Sequence, residues 1–298
     1  MKQWMLILVC SSMLFLVACQ NENESTDETT SNTDGNTVET EPNLDVETNE
    51  DYEELTNEED TEEQDTRVEP VTEEDIEVQY RSNEKNWAIE PIEDGIEENV
   101  LLLTIDDAPD KYALEMAQLL KELNVPAIFF VNGHFLQNEE DYETLRNIHE
   151  LGFHIGNHTM THPVLSDINE ERQKEEIIEL NVLVEKIIGE KPKFFRAPHG
   201  ANTDYVKDLV KQEGMLLMNW TYGYDYFEPY MDAEKLKEAM ISGEGPEVDV
   251  NYSLLQPGAN LLMHDREWTF EALEDIVKGL RDKGYTFVNP EAIEIPES

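Results

Sequence analysis

Two aspartates stand side by side at the end of an oily run: Leu101-Leu102-Leu103-Thr104-Ile105 leads straight into Asp106 and Asp107. Ionised carboxylates avoid apolar surroundings unless something pairs with them, so this pair asks for a cation. Asn157-His158-Thr159-Met160-Thr161-His162 supplies two imidazoles four residues apart, able to face one ion if the segment forms a helical turn or a loop that curls back. Alone, such a pair reads as surface histidines; beside strand-end carboxylates, two His and one carboxylate make an open site of the kind catalytic Zn²⁺ uses, with a position left for water. Successive side chains on a strand point opposite ways, so one aspartate would bind the metal while its neighbour turns toward substrate. A cation nearby keeps both ionised.

These residues need elements to position them. Short apolar runs at 101–105, 126–131, 153–156, 193–196, 215–220, 260–264 and 285–288 give seven strand candidates. Between them lie segments of helical period at 111–123, 140–151, 170–188, 203–213 and 268–283. Alternation of this kind defines an α/β protein with a parallel sheet. In 170–188, Ile177, Leu180, Val184 and Ile187 keep one face apolar while Glu and Lys fill the other. Asp167 followed by Glu170 fits a capping box, Gly189 stands where a helix would end, and Gly152, Gly214 and Gly284 each precede a strand. The expected architecture is a distorted or incomplete (β/α) barrel, with a doubly wound open sheet as the alternative. In either one, active groups gather at the carboxyl ends of the strands. Asp106 and Asp107, His158 and His162, Arg196, the stretch Trp220 to Asp225, and His264 with Asp265 all fall at such ends.

The rest of the 298-residue chain is of another kind. Its formal net charge is -47, and from Gln20 to Tyr80 some 24 acids face a single base, Arg67. Such a segment cannot bury enough surface to offset its ordering entropy and reads as a solvated acidic tether. Nothing in this balance invites nucleic acid or anionic lipid. Lys2 precedes a mostly apolar run, Trp4 to Ala18, shorter than the about 20 residues a membrane-spanning helix needs. That run ends in Leu16-Val17-Ala18-Cys19, which resembles the lipobox of bacterial lipoproteins. The resemblance implies a signal peptide over 1–18, lipidation of Cys19, a disordered linker over 19–95, and a catalytic domain over 96–298 anchored to the outer face of a bacterial membrane. Cys10 would be removed with the signal peptide, leaving no thiol for a disulfide.

Four segments carry a second resemblance. Thr104-Ile105-Asp106-Asp107, His158-Thr159-Met160-Thr161-His162, Arg196-Ala197-Pro198-His199-Gly200 and Leu262-Met263-His264-Asp265 resemble, in order, the motifs of NodB-like polysaccharide deacetylases, carbohydrate esterase family four. The similarity spans residues 97 to 290. It implies that Asp106 is the catalytic base and that Asp107, His158 and His162 bind a divalent metal, usually Zn²⁺, with Co²⁺, Ni²⁺ or Mn²⁺ as alternatives. It implies further that Arg196 orients the base, His264 is the general acid, Leu262 walls the acetyl pocket and the His199 backbone N–H contacts the oxyanion. A free imidazole titrates near about 6.5, so His264 needs a carboxylate to stay protonated; Asp225 is the expected partner and Asp265 the local alternative.

Two departures stand out. Ala108 occupies a position where the family has Gly, so the loop must differ if that position needs a positive φ. The family's D-x-x-D-W motif survives only as Tyr222-Gly223-Tyr224-Asp225-Tyr226. Trp220, Tyr222, Tyr224, Tyr226 and Phe227 form an aromatic cluster divided between core packing and stacking on sugar faces, with Trp220 and Tyr226 assigned to substrate. His134 belongs to a loop, and His149 and His154 are structural. The reading is a surface-anchored, metal-dependent deacetylase of an N-acetylated extracellular glycan. A non-catalytic wall-binding module and a hydrolase of small non-sugar amides are the alternatives.

Overall fold

The structure is a computed structural model and describes residues 76–297. The signal peptide, Cys19 and the acidic tether up to residue 75 lie outside the described residues. The chain opens with a hairpin, β1 (Tyr80–Ser82) antiparallel to β2 (Ile89–Pro91), and continues as β3 (Val100–Ala108), α1 (Ala113–Glu122), β4 (Ile128–Val131), α2 (Glu139–Glu150), β5 (His154–Asn157) and α3 (Glu170–Ile188). It ends with β6 (Phe194–Phe195), α4 (Asp204–Gln212), β7 (Leu216–Leu217), α5 (Ala233–Ser242), β8 (Asn260–His264), α6 (Glu267–Asp282) and β9 (Thr286–Phe287).

The strands make one parallel sheet in the order β7-β6-β5-β4-β3-β8, with β9 pairing the first residues of β3. The chain leaving β7 crosses to the far edge: Thr221 N–H donates to the Asn260 carbonyl and Leu262 N–H to that of Tyr222. The result is the distorted parallel barrel expected from the alternation, not a doubly wound open sheet. Strands β6, β7 and β9 are each two residues long, shorter than their apolar runs.

Side-chain alternation sorts β3 onto two faces. Leu101, Leu103 and Ile105 pack with α1, α3, α5 and α6, whereas Val100 and Leu102 join Ile128, Phe130 and Phe194 inside the barrel. Burial on both faces is why the run is apolar throughout. Even-numbered positions point inward, which also aims Thr104, Asp106 and Arg196 into the barrel. Gly156 on β5 permits this interior to close: a Cβ there would lie 2.5 Å from the Phe130 ring. Gly156→Ala is expected to destabilise the fold by about 1–3 kcal/mol through overpacking, read as a lowered thermal midpoint.

Three sequence expectations are corrected. The hairpin falls inside the stretch 19–95 expected to be disordered, yet Tyr80 and Ile89 pack into the barrel interior with Ala292 and Ile293, and Glu294 N–H donates to the Tyr80 carbonyl. Folded structure therefore begins at Tyr80 and not at residue 96; two three-residue strands among acids leave too short an apolar signal. The α3 cap is Asn169, whose side chain accepts from Arg172 N–H, while Asp167 ends a separate 3₁₀ turn. Asn caps as well as Asp, and the extended Ile168 between the two segments breaks the Asp167–Glu170 box. Finally, α5 lies in a stretch given no element, between the Asp232 cap and Gly243. Gly189 does end α3 in the left-handed region, at φ 86°. Among the described residues no helix is long and apolar enough to cross a membrane.

Candidate active site

The carboxyl ends of β3, β5, β6 and β8 open on one cavity of about 510 Å³ lined by both aspartates, His158, His162, His199, Trp220, Asp225, Tyr226, Leu262 and His264. Asp106 sits in register with His264 across the β3–β8 pair. Between Ile105 and Ala108 the register against β4 slips, and Asp107 takes φ 61°. This bulge turns Asp107 onto the cavity beside Asp106, so the two carboxylates do not face opposite ways as regular alternation would have it. The left-handed residue is thus an aspartate, a type that tolerates that region. Ala108 is buried without a positive φ, so its replacement of the family's Gly carries no backbone strain.

Arg196 is fully buried. It donates to Asp106 Oδ1 at 2.6 Å and Thr104 Oγ1 at 2.8 Å, and to the Asn219 carbonyl at 2.9 Å, while its guanidinium lies 4.3 Å over the Phe130 ring. Asp106 thereby has one oxygen held and the other, Oδ2, free toward the cavity, 3.6 Å from His158 Nε2. The Arg196 carbonyl lies 2.7 Å from His158 Nδ1. An acceptor there places the proton on Nδ1 and leaves the Nε2 lone pair facing the aspartates.

Donor atoms of Asp107, His158 and His162 all lie within 4.8 Å of one another, a group that could hold a metal ion. Their protonation suits ligation. Burial pulls His158 below its ordinary value and, helped by the neighbouring His158, brings His162 down to about 4; both imidazoles are neutral at neutral pH. Burial pushes the Asp107 carboxyl up, but the charges of His158, His264, His162 and Arg266 outweigh it and hold the group below its ordinary range. With the two ligand imidazoles neutral, His264 and Arg266 are the cations acting at neutral pH.

Asp225 holds His264. Its Oδ1 lies 2.8 Å from His264 Nδ1, and its Oδ2 accepts from His264 N–H at 2.6 Å and Thr269 Oγ1 at 2.8 Å. Burial alone would lower the imidazole, but Asp225, with Asp106 and Asp107 behind it, raises it to about 9. Asp265, the alternative partner, instead accepts the backbone N–H groups of Asp110, Lys111 and Tyr112 at 2.6, 3.0 and 2.6 Å, fixing the turn after the bulge. The aromatic cluster divides as expected. Tyr222 and Tyr224 are buried, donating to the Met240 and Gly243 carbonyls, while Trp220 and the 41% exposed Tyr226 rim the cavity. His199 takes φ 59°, with its ring 5.0 Å from that of His162. His134, His149 and His154 do not line the cavity.

Sequence reasoning missed Arg266 and Trp268. Arg266 donates to Asp107 Oδ2 at 2.7 Å and to the Asp265 carbonyl, and Trp268 Nε1 donates to the Asp225 carbonyl. Their place directly after His264-Asp265 was the available signal.

This geometry is that of a hydrolase site at the mouth of a parallel barrel, and comparison with known proteins agrees. The polysaccharide deacetylase profile matches residues 94–218. A peptidoglycan-N-acetylglucosamine deacetylase of Bacillus cereus is 30% identical over 200 residues, 65% of this chain and 70% of that protein. Among solved structures, T48 deacetylase with substrate is 26% identical with a TM-score of 0.56, covering 66% of this chain and 94% of that one. A mutant of a CE4 family pseudoenzyme with restored enzymatic activity is 25% identical with a TM-score of 0.57, covering 66% and 70%. This chain belongs to the NodB-like polysaccharide deacetylases of carbohydrate esterase family four. It spans 51% and 65% of the length of two further curated relatives.

Proposed function

We propose that the protein removes N-acetyl groups from an extracellular N-acetylated glycan, peptidoglycan or a GlcNAc polymer, by metal-dependent hydrolysis. The observation that carries this reading is the meeting at one cavity of a base held by arginine, a two-His, one-Asp cluster and an imidazolium held by aspartate. A divalent ion, Zn²⁺ before Co²⁺, Ni²⁺ or Mn²⁺, would be held by Asp107, His158 and His162 and would supply Lewis-acid polarisation of the amide and activation of water. Asp106 accepts the water's proton on Oδ2, since Arg196 occupies Oδ1. His264, a cation below about pH 9, gives its proton to the departing amine. The His199 backbone N–H faces the developing oxyanion and Leu262 walls the acetyl group. Trp220 and Tyr226 stack on sugar faces.

The catalytic reading is favoured over a non-catalytic wall-binding module because every group the reaction needs lines the cavity, and the aromatic rim favours glycan over a small amide. We also infer export and lipid anchoring at Cys19, on the strength of Lys2, the apolar run and Leu16-Val17-Ala18-Cys19. Removing metal tests the chemistry: acetate release from chitooligosaccharide or peptidoglycan should stop after chelation and return on adding Zn²⁺ or Co²⁺. Undiminished release by protein verified to be metal-free would contradict the proposal.

A further inference from the structure

Glu176 on α3 is a fully buried carboxylate that lies outside the cavity and that the reaction does not use. A buried acid is costly unless its oxygens are satisfied, and those of Glu176 are. They accept from Thr161 N–H at 2.7 Å, Thr161 Oγ1 at 2.6 Å and Arg172 Nη2 at 2.6 Å, and the Glu176 carbonyl accepts from Met160 N–H at 2.9 Å. Every one of these bonds except the Arg172 pair goes to the loop between His158 and His162.

That loop needs holding. Thr159 and His162 sit at φ 72° and 58°, conformations that cost a non-glycine residue roughly 1–2 kcal/mol each. Asn157 Oδ1 takes Thr159 N–H at 2.9 Å and Thr159 Oγ1 takes His162 N–H at 3.1 Å, while Asn157 is itself tied to Asn181 and the Ile177 carbonyl on α3. The two imidazoles are anchored differently. The His158 ring is fixed by the Arg196 carbonyl. Among the described residues the His162 ring has only Asp107 Oδ1 at 3.4 Å and the rings of His158 and His199 beside it, so its place is set by its backbone.

We propose that Glu176 is a positioning residue for the metal centre, setting His162 through Thr161 and thereby the affinity for a divalent ion. The inference rests on the reading of Asp107, His158 and His162 as metal ligands. Outer-shell groups of this kind typically change metal affinity by about 10–100-fold.

The test titrates Zn²⁺ and Co²⁺ into metal-free full-length protein, following heat and the visible absorption of bound Co²⁺, at a temperature where circular dichroism shows each variant folded. Glu176→Gln cannot accept all three donors and should bind about 10–100-fold more weakly with an altered Co²⁺ spectrum. Glu175→Gln, which removes the other partner of Arg172, should bind as wild type does. Thr161→Ala, at an exposed position, removes the hydroxyl donor alone; it should weaken binding less, and it decides the matter if Glu176→Gln does not fold. A folded Glu176→Gln, or failing that a folded Thr161→Ala, with wild-type affinity and spectrum overturns the positioning role while leaving the metal site standing. Absence of binding by wild type overturns the metal-site reading and this inference with it.

Discussion

Asp106→Asn should reduce acetate release by about 10²–10⁴-fold, the usual worth of a positioned general base. The substitution keeps the side-chain volume and an oxygen for Arg196, so the cavity keeps its shape. It removes the charge opposite a guanidinium that is wholly buried. Breaking a buried ion pair costs about 3–5 kcal/mol, and because Thr104, Asn219 and Asn260 still accept from Arg196, the lower end applies. The variant should therefore fold, melt at a lower temperature and be inactive. Activity near the wild-type level, measured as acetate released, would remove Asp106 from the role of base.

The second large effect belongs to Asp225→Asn and appears as a change of pH profile. In the wild type His264 is raised above its unfolded value to about 9, so it remains a cation at neutral pH and the alkaline limb of activity should fall through about pH 9. Without the carboxylate, burial acts alone and draws the imidazole below about 6.5. The limb should move to acid pH, with a loss at neutral pH of about 10²–10⁴-fold. Stability carries the same sign. A group whose folded pKa is raised contributes its full stabilisation below the unfolded value, and that contribution disappears as pH rises through the folded one. The gap in thermal midpoint between wild type and Asp225→Asn should be widest below about pH 6.5 and shrink toward pH 9. An unchanged alkaline limb in the variant would show that His264 does not act as the acid.

What could be read from sequence follows from how α/β proteins place their chemistry. Asp106, His158, Arg196 and His264 each end or follow an apolar run, and parallel strands deliver such ends to one mouth, so their meeting was legible from residue order alone. Three things were not. The turn of Asp107 depends on a bulge at φ 61°, which residue identity does not announce. The division of labour between Asp225 and Asp265 depends on which carboxylate the folded chain brings to His264 Nδ1, and here the residue distant in sequence wins while its neighbour gathers three backbone N–H groups. Glu176 lies among the Glu and Lys of a polar helix face, and periodicity cannot distinguish a buried carboxylate there from a solvated one. The hairpin at Tyr80 was hidden because its strands are three residues long and give no repeat to detect.

The most direct measurement is to load the protein with Zn²⁺, incubate it with an N-acetylated glycan and count both products of the same bond. Hydrolysis by this site predicts acetate and new free amine in equal amounts. Stoichiometric metal with neither acetate nor amine from chitooligosaccharide or peptidoglycan would contradict it.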